Sequence, residues 1–271
     1  MAVPRIHSSA VIDSRAEIPS DAVVGPFAVI EGAVCVGPGT IIRPHVHLIG
    51  PLVAGEGNDI GTGTVIGDRP QHLAYDGTET RTEIGNFNTF REHVTVHRPM
   101  PGGRTVIGDR NTFMVNSHVA HDCTVGNHVV MVNASVIAGH VTLGDRSLIS
   151  GYAGIHQHCR VGELALLSGQ SAATMDIPPY WIMQRFNIVC GVNIVGMKRA
   201  GIPQLEIMAV RKAFKMIYLQ KRGIREATDL MEAELGHYSS IQKLVAFIRT
   251  TKRGIPGASR YDANVVSEEA A

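Results

Sequence analysis

The sequence predicts an all-β parallel solenoid of six-residue repeats followed by an α-helical region, on three observations. First, an apolar anchor recurs every sixth position. It runs through Ile6, Ile12, Ile18, Val24, Ile30, Val36, Ile42, Leu48, Ala54, Ile60 and Ile66, then through Ile107, Phe113, Val119, Val125, Met131, Ile137, Leu143, Ile149, Ile155, Val161, Leu167 and Ala173. Second, a small residue stands two positions before many anchors, as at Cys123, Val129, Ser135, Val141, Ser147, Ala153, Cys159 and Ala165. Residues two apart face the same side of a short strand, so each strand offers a narrow interior one large and one small side chain. Third, glycine follows the anchor at Gly108, Gly126, Gly144 and Gly162, every 18 residues. Three hexapeptides therefore make one triangular coil, with glycine where a corner needs positive φ or tight approach.

Two segments interrupt the rhythm. Residues 67–82 keep the phase but put His72 and Thr78 at anchor positions, which predicts an excursion loop. The spacing from Val96 to Ile107 is 11 rather than 12, and Pro99, Pro101, Gly102 and Gly103 mark a second loop near 97–106. Such loops on a rigid solenoid are natural binding elements. The repeat fades after Asp176, Pro178 and Pro179, so the solenoid is assigned to residues 1–186 and the helical region to 187–271. Pro203 suits a helix start, and Leu205, Met208, Ala209, Lys212, Ala213, Met216 and Ile217 predict one stripe. Further amphipathic helices are expected near Ile224 to Leu235 and Ser239 to Thr250, with a frayed tail after Gly254.

A net charge of +1 excludes a global field for nucleic acid or membranes. It hides an asymmetry, because residues 1–197 carry 12 arginines, no lysine and 16 acids, and residues 198–271 carry 13 basic and 8 acidic residues. A basic C-terminal region suits an acidic partner. No signal-peptide-like run and no stretch of 18 apolar residues occurs, so a cytoplasmic protein without a membrane span is expected. Cys35, Cys123, Cys159 and Cys190 lack the CxxC spacing of a metal site, and Cys123 and Cys159 read as small core residues.

Histidines cluster in the middle coils. Residues 18 apart stack on neighbouring coils about 4.8 Å apart, which sets His121 on Gly139 and puts Asp122, His140 and His158 in one column. A neutral imidazole can take a proton from an attacking hydroxyl, and a glycine N–H can meet the oxyanion of a tetrahedral intermediate. Asp122 can orient the ring or cap a turn. No side chain needs to become acylated, so direct transfer is expected over a covalent intermediate. His45, His47, His128 and His237 read as surface polar residues, and Trp181 and the methionines as packing.

The stretch Ser117-His118-Val119-Ala120-His121-Asp122-Cys123-Thr124-Val125-Gly126-Asn127, with Ala138-Gly139-His140-Val141, Ile155-His156-Gln157, Ile177-Pro178-Pro179-Tyr180 and Gly191-Val192-Asn193, closely resembles the UDP-N-acetylglucosamine O-acyltransferases that begin lipid A biosynthesis. The resemblance spans nearly the whole chain. It implies a left-handed coil and a homotrimer with active sites between subunits. It further implies transfer of a 3-hydroxyacyl group from acyl carrier protein to the glucosamine 3-hydroxyl of the UDP-sugar, with no cofactor and no metal. In this likeness His121 matches the general base, Asp122 its orienting neighbour and Gly139 the oxyanion donor. His118, His140, His156, Gln157, Gln71 and His97 match substrate-contacting positions, Gly169 matches the position that leaves the acyl groove long, and Asn193 and Arg199 match sugar-nucleotide contacts.

The chain also departs from the pattern. Where the family usually reads Gln-Asp-Leu-Lys-Tyr, it has Gln71-His72-Leu73-Ala74-Tyr75, and Val195 and Ala200 replace an acid and an arginine. Three other readings therefore stand beside the first. One transfers the acyl group to a 3-amino nucleotide sugar. Another is a zinc-dependent carbonic anhydrase on the same scaffold, although such relatives space two histidines five apart and here His118 and His121 are three apart. The last is a non-catalytic trimer that binds acyl carrier protein.

Overall fold

A computed structural model describes residues 5–220 and 223–258. The solenoid is a left-handed parallel β-helix whose three faces belong to sheets of nine, seven and eleven strands among the described residues, the last extended by three strands beyond the regular coils. Most strands are only two or three residues long, and the anchors pair coil to coil. Val119 faces Ile137, which faces Ile155, and Val125 faces Leu143, which faces Val161. Anchors and small partners fill one continuous core, with Cys123, Val129, Ser135, Val141, Ser147, Ala153, Cys159 and Ala165 all fully buried. Burial pushes the Cys123 thiol up to about 12 and the Cys159 thiol up to about 11, which fits inert core residues.

The corners separate the two reasons for glycine. Every sixth residue from Arg110 to Gln170 has φ between 54° and 63°, and none of these is glycine. The left-handed conformation costs on the order of 1 kcal/mol at such a residue. Each turn carries an aliphatic anchor into the core, worth about 1.5–3 kcal/mol, so the trade favours the coil. The recurring glycines stand two residues earlier and are required by contact: a Cβ on Gly108 would lie 2.5 Å from Asn127 Oδ1, and one on Gly144 2.6 Å from the Glu163 amide nitrogen.

Both excursions are present. Ile66 pairs with Val96, 30 residues on, and Val96 pairs with Val119, 23 residues on, instead of the usual 18. The loops leave the helix between Val65–Asp68 and Thr82–Ile84, and between Thr95–His97 and Thr105–Ile107.

Past the last regular coil, Trp181–Gln184 continues one face in parallel and Ile188–Val192 returns antiparallel. Helices follow at Ile194–Arg199 (α1), Gln204–Tyr218 (α2), Ile224–Leu235 (α3) and Ser239–Arg249 (α4). The predicted stripe on α2 is corrected. Of its members Ala209, Ala213, Met216 and Ile217 are buried, but Leu205 and Met208 are 64% and 54% exposed, and Ile207, Val210 and Phe214 are buried in their place. The buried face carries Phe214, whose ring packs with those of Trp181 and Tyr218, and the expected stripe contained the exposed Lys212. The frayed tail is corrected too: Ile255 is buried and Gly257–Ala258 pairs with Ile188–Val189, while residues 259–271 lie outside the described residues. Arg160 joins the two regions, donating to Asp176 Oδ2 and to the Phe247 carbonyl of α4.

Candidate active site

The site forms at one corner of the coil that begins with the strand His118–Val119. His121 is buried, and its Nδ1 lies 2.6 Å from Asp122 Oδ2. A carboxylate only accepts, so Nδ1 carries the hydrogen and a neutral ring keeps Nε2 free as a base. Adjacent side chains on a strand would point apart, but Asp122 sits in the left-handed turn at φ 60°, which folds its carboxylate back onto the ring.

The second excursion holds this dyad. The Met100 N–H donates to Asp122 Oδ2 at 3.2 Å, and the Asp122 N–H donates to Thr105 Oγ1 at 2.9 Å. Gly103 lies so close to Asp122 Oδ1 that no Cβ fits there. The first excursion leans on the second through Thr80 Oγ1, which donates to the Pro99 carbonyl at 2.5 Å.

Beneath the ring stands Gly139, as the 18-residue stacking predicts. A Cβ there would lie 2.6 Å from His121 Cε1 and 2.7 Å from Nε2. Among the described residues no backbone carbonyl takes the Gly139 N–H. A base and an unclaimed amide thus share one corner.

Four further histidines gather round it. His140 Nε2 is 3.8 Å from Asp122 Oδ2, its ring meets His121 edge-on at 5.2 Å, and His158 stacks on it at 4.5 Å. His118 Nδ1 lies 2.7 Å from Thr95 Oγ1, and burial pulls its pKa down to about 4, helped by the charges that His97 and His121 can carry. His97 packs edge-on against His118 at 4.8 Å, is buried, and is also held below the usual histidine range by desolvation. Its Nδ1 has no partner among the described residues.

The other expected residues divide. His156, Gln157 and Gly169 are exposed on neighbouring coils, and Gln71 is exposed on the first loop. Asn193 caps α1: its Oδ1 accepts the Gly196 N–H at 2.9 Å and its Nδ2 donates to the Leu164 carbonyl at 2.8 Å, so both ends are engaged within the protomer. Arg199 is exposed in the last turn of α1. Sequence reasoning missed His72. It was read as a loop residue, yet its ring meets His121 edge-on at 5.5 Å. Its position beside Gln71, at a break in the family pattern, was the available signal.

Known proteins resemble the chain over most of its length. A family model described as Udp N-acetylglucosamine O-acyltransferase, Domain 2, matches residues 176–256. The Acyl-[acyl-carrier-protein]--UDP-N-acetylglucosamine O-acyltransferase of Syntrophobacter fumaroxidans is 36% identical, covering 93% of this chain and 99% of its own. Its namesake from Thermodesulfovibrio yellowstonii is 40% identical, covering 92% and 98%. Among solved structures, the UDP-N-acetylglucosamine acyltransferase of Francisella novicida superposes with a TM-score of 0.91 at 32% identity, covering 98% of each chain.

Proposed function

The chain belongs to the acyl-[acyl-carrier-protein]–UDP-N-acetylglucosamine O-acyltransferase family, and from that premise we propose that it moves a 3-hydroxyacyl group from acyl carrier protein to the glucosamine 3-hydroxyl of UDP-N-acetylglucosamine by direct general-base catalysis. The observation that carries the mechanism is the 2.6 Å bond from His121 Nδ1 to Asp122, which leaves Nε2 bare above Gly139. Nε2 takes the proton of the acceptor hydroxyl as its oxygen attacks the thioester carbonyl. The carbonyl electrons pass to oxygen, where the Gly139 N–H donates to the oxyanion. Collapse breaks the carbon–sulfur bond, and His121 returns the proton to the thiolate. General-base assistance contributes roughly 10² to 10⁴ in rate and one oxyanion donor about 10² to 10³.

The working form in this reading is a cytoplasmic homotrimer. The outward-facing His140, His156, Gln157 and His158 leave the site open on one side, and Val136 and Tyr152, nearby on the coils, are 43% and 72% exposed. Exposed Lys198, Arg199 and Lys215 offer charge to an acidic carrier protein. Among the described residues no helix is long and apolar enough to cross a membrane.

The test is mass spectrometry of products from acyl carrier protein donors mixed with UDP-N-acetylglucosamine. The wild type is expected to give the 3-O-acyl sugar, and His121→Ala to give none while keeping its oligomeric state by light scattering. An active His121→Ala sinks the mechanism. A 3-amino sugar competing in the same reaction reads the acceptor directly.

A further inference from the structure

The corner that carries the proposed base also brings together three metal-ligating atoms that acyl transfer does not use in that way. One ligand atom each from His121, Asp122 and His140 lies within 4.8 Å of the other two. Asp122 Oδ2 is the common neighbour, 2.6 Å from His121 Nδ1 and 3.8 Å from His140 Nε2. Two ligands of a tetrahedral zinc ion, each about 2.0–2.2 Å from the metal, stand roughly 3.3–3.6 Å apart. The two separations bracket that value and the whole set lies within 4.8 Å, so side-chain adjustment would seat an ion.

The chemistry and the surroundings favour the same kind of occupant. Two imidazoles and a carboxylate suit a borderline divalent ion such as Zn²⁺, whereas Mg²⁺ wants six oxygens. The Asp122 side chain is 3% exposed and its Oδ1 has no partner among the described residues, so the carboxylate holds accepting capacity that the protein leaves unused. Met100 and Thr105 fix it in place. His72 covers the corner without being preset as a fourth ligand. Its Nδ1 accepts the Ala74 N–H at 3.2 Å, so a neutral ring carries its proton on Nε2. One coordination position therefore stays open beneath it.

We propose that His121, Asp122 and His140 form a binding site for a Zn²⁺-class divalent cation, and that the bound ion switches the base off. Binding replaces the proton shared by His121 Nδ1 and Asp122 Oδ2: the N–H bond breaks, metal–nitrogen and metal–oxygen bonds form, and the proton passes to the buffer. The imidazole then serves the ion and no longer holds the orientation that the hydrogen bond imposed. The inhibitory half rests on reading His121 as the base; the binding half does not.

Titration calorimetry of Zn²⁺ into the metal-free full-length protein, in two buffers of different ionisation heat, tests both halves. The expected result is one ion per chain with release of about one proton, and no heat from Mg²⁺. His140→Gln is expected to weaken binding by at least about tenfold. Gln170 already occupies a left-handed corner on another edge of the coil at φ 57°, so glutamine suits this backbone conformation. His237→Ala, on the exposed surface of the helical region, is expected to bind as the wild type does. Equal affinity in His140→Gln, or equal losses in the two variants, overturns the site. Zn²⁺ at one per chain that leaves acyl transfer unchanged overturns the switch. A metal-free enzyme that acylates no nucleotide sugar refutes the proposed function instead, and the calorimetry still reads the site.

Discussion

Two corners of the same solenoid use one backbone for opposite ends. At the first, the residues two past the anchor are Asp109, Asn127 and Asp145, and they form a ladder along the axis. Asn127 Oδ1 accepts the Asp109 N–H at 2.8 Å, and Asp145 Oδ1 accepts the Asn127 N–H at 2.8 Å. At the second, the same repeat position holds His121, Gly139 and Gln157. Glycine has no side chain to accept the His121 N–H, so the ladder stops and the His121 ring occupies the space a Cβ would fill, while among the described residues no backbone carbonyl takes the Gly139 N–H. The left-handed residue that follows is Arg110, His128 or Arg146 at the first corner and Asp122, His140 or His158 at the second, all near φ 60°. The difference teaches that this fold makes a site by removing a structural hydrogen bond, not by bending its frame.

Gly139→Ala attacks that difference directly and has the largest expected effect. The new Cβ, 2.6 Å from His121 Cε1, forces the ring away, and a ring pinned to Asp122 can yield only by breaking the 2.6 Å bond. Acyl transfer is expected to fall about 10²- to 10³-fold, since both base and oxyanion donor are disturbed. The urea midpoint is expected to drop as well but modestly, because the strained contact and the broken bond lie among a few buried groups at one corner. Activity within a few-fold of wild type would show that the contrast between the corners has no catalytic meaning.

Much of this was legible from residue spacing alone. A period of six fixes which side chains enter the core, and a coil of 18 places His121 over Gly139, because stacked parallel strands admit no other register. The loops were visible as breaks in phase at 67–82 and 97–106, but their contacts were not. That Gly103 presses on Asp122 and His72 on His121 depends on how an irregular segment folds back, and no repeat encodes it. The stripe on α2 was misjudged for a related reason. Apolar residues occur round most of that helix, and only the partner surface at Trp181 decides which of them are buried. That Asn193 caps α1 was likewise not legible, because the cap is a property of the turn it occupies.

The converse experiment cuts the intact ladder. Asn127→Ala removes the acceptor for the Asp109 N–H at a partly buried corner. One such bond is worth about 1 kcal/mol net, so the urea midpoint is expected to drop by a corresponding small amount while acyl transfer stays within twofold. A loss of activity comparable to that of Gly139→Ala would erase the distinction between a structural and a functional corner.

The last contrast appears only in acid and belongs to the catalytic side alone, where imidazoles pack against one another. His118 has a folded pKa of about 4 against 6.5 for a free histidine, chiefly through burial and then through His97 and His121. Because the folded value lies below the unfolded one, the unfolded chain binds more protons between those two values, and stability falls as pH drops through that window. Above about pH 7 both states are neutral at this position and nothing is lost. His97 and His140 are shifted in the same direction, so His118→Gln is expected to flatten the decline in urea midpoint between pH 6.5 and 4 without abolishing it. The slope is the informative quantity, since the variant also disturbs the 2.7 Å contact with Thr95, which offsets stability at every pH. An identical slope in wild type and His118→Gln would mean that His118 takes up its proton in the folded state as readily as in the unfolded one, and that the catalytic face does not depend on keeping this ring neutral.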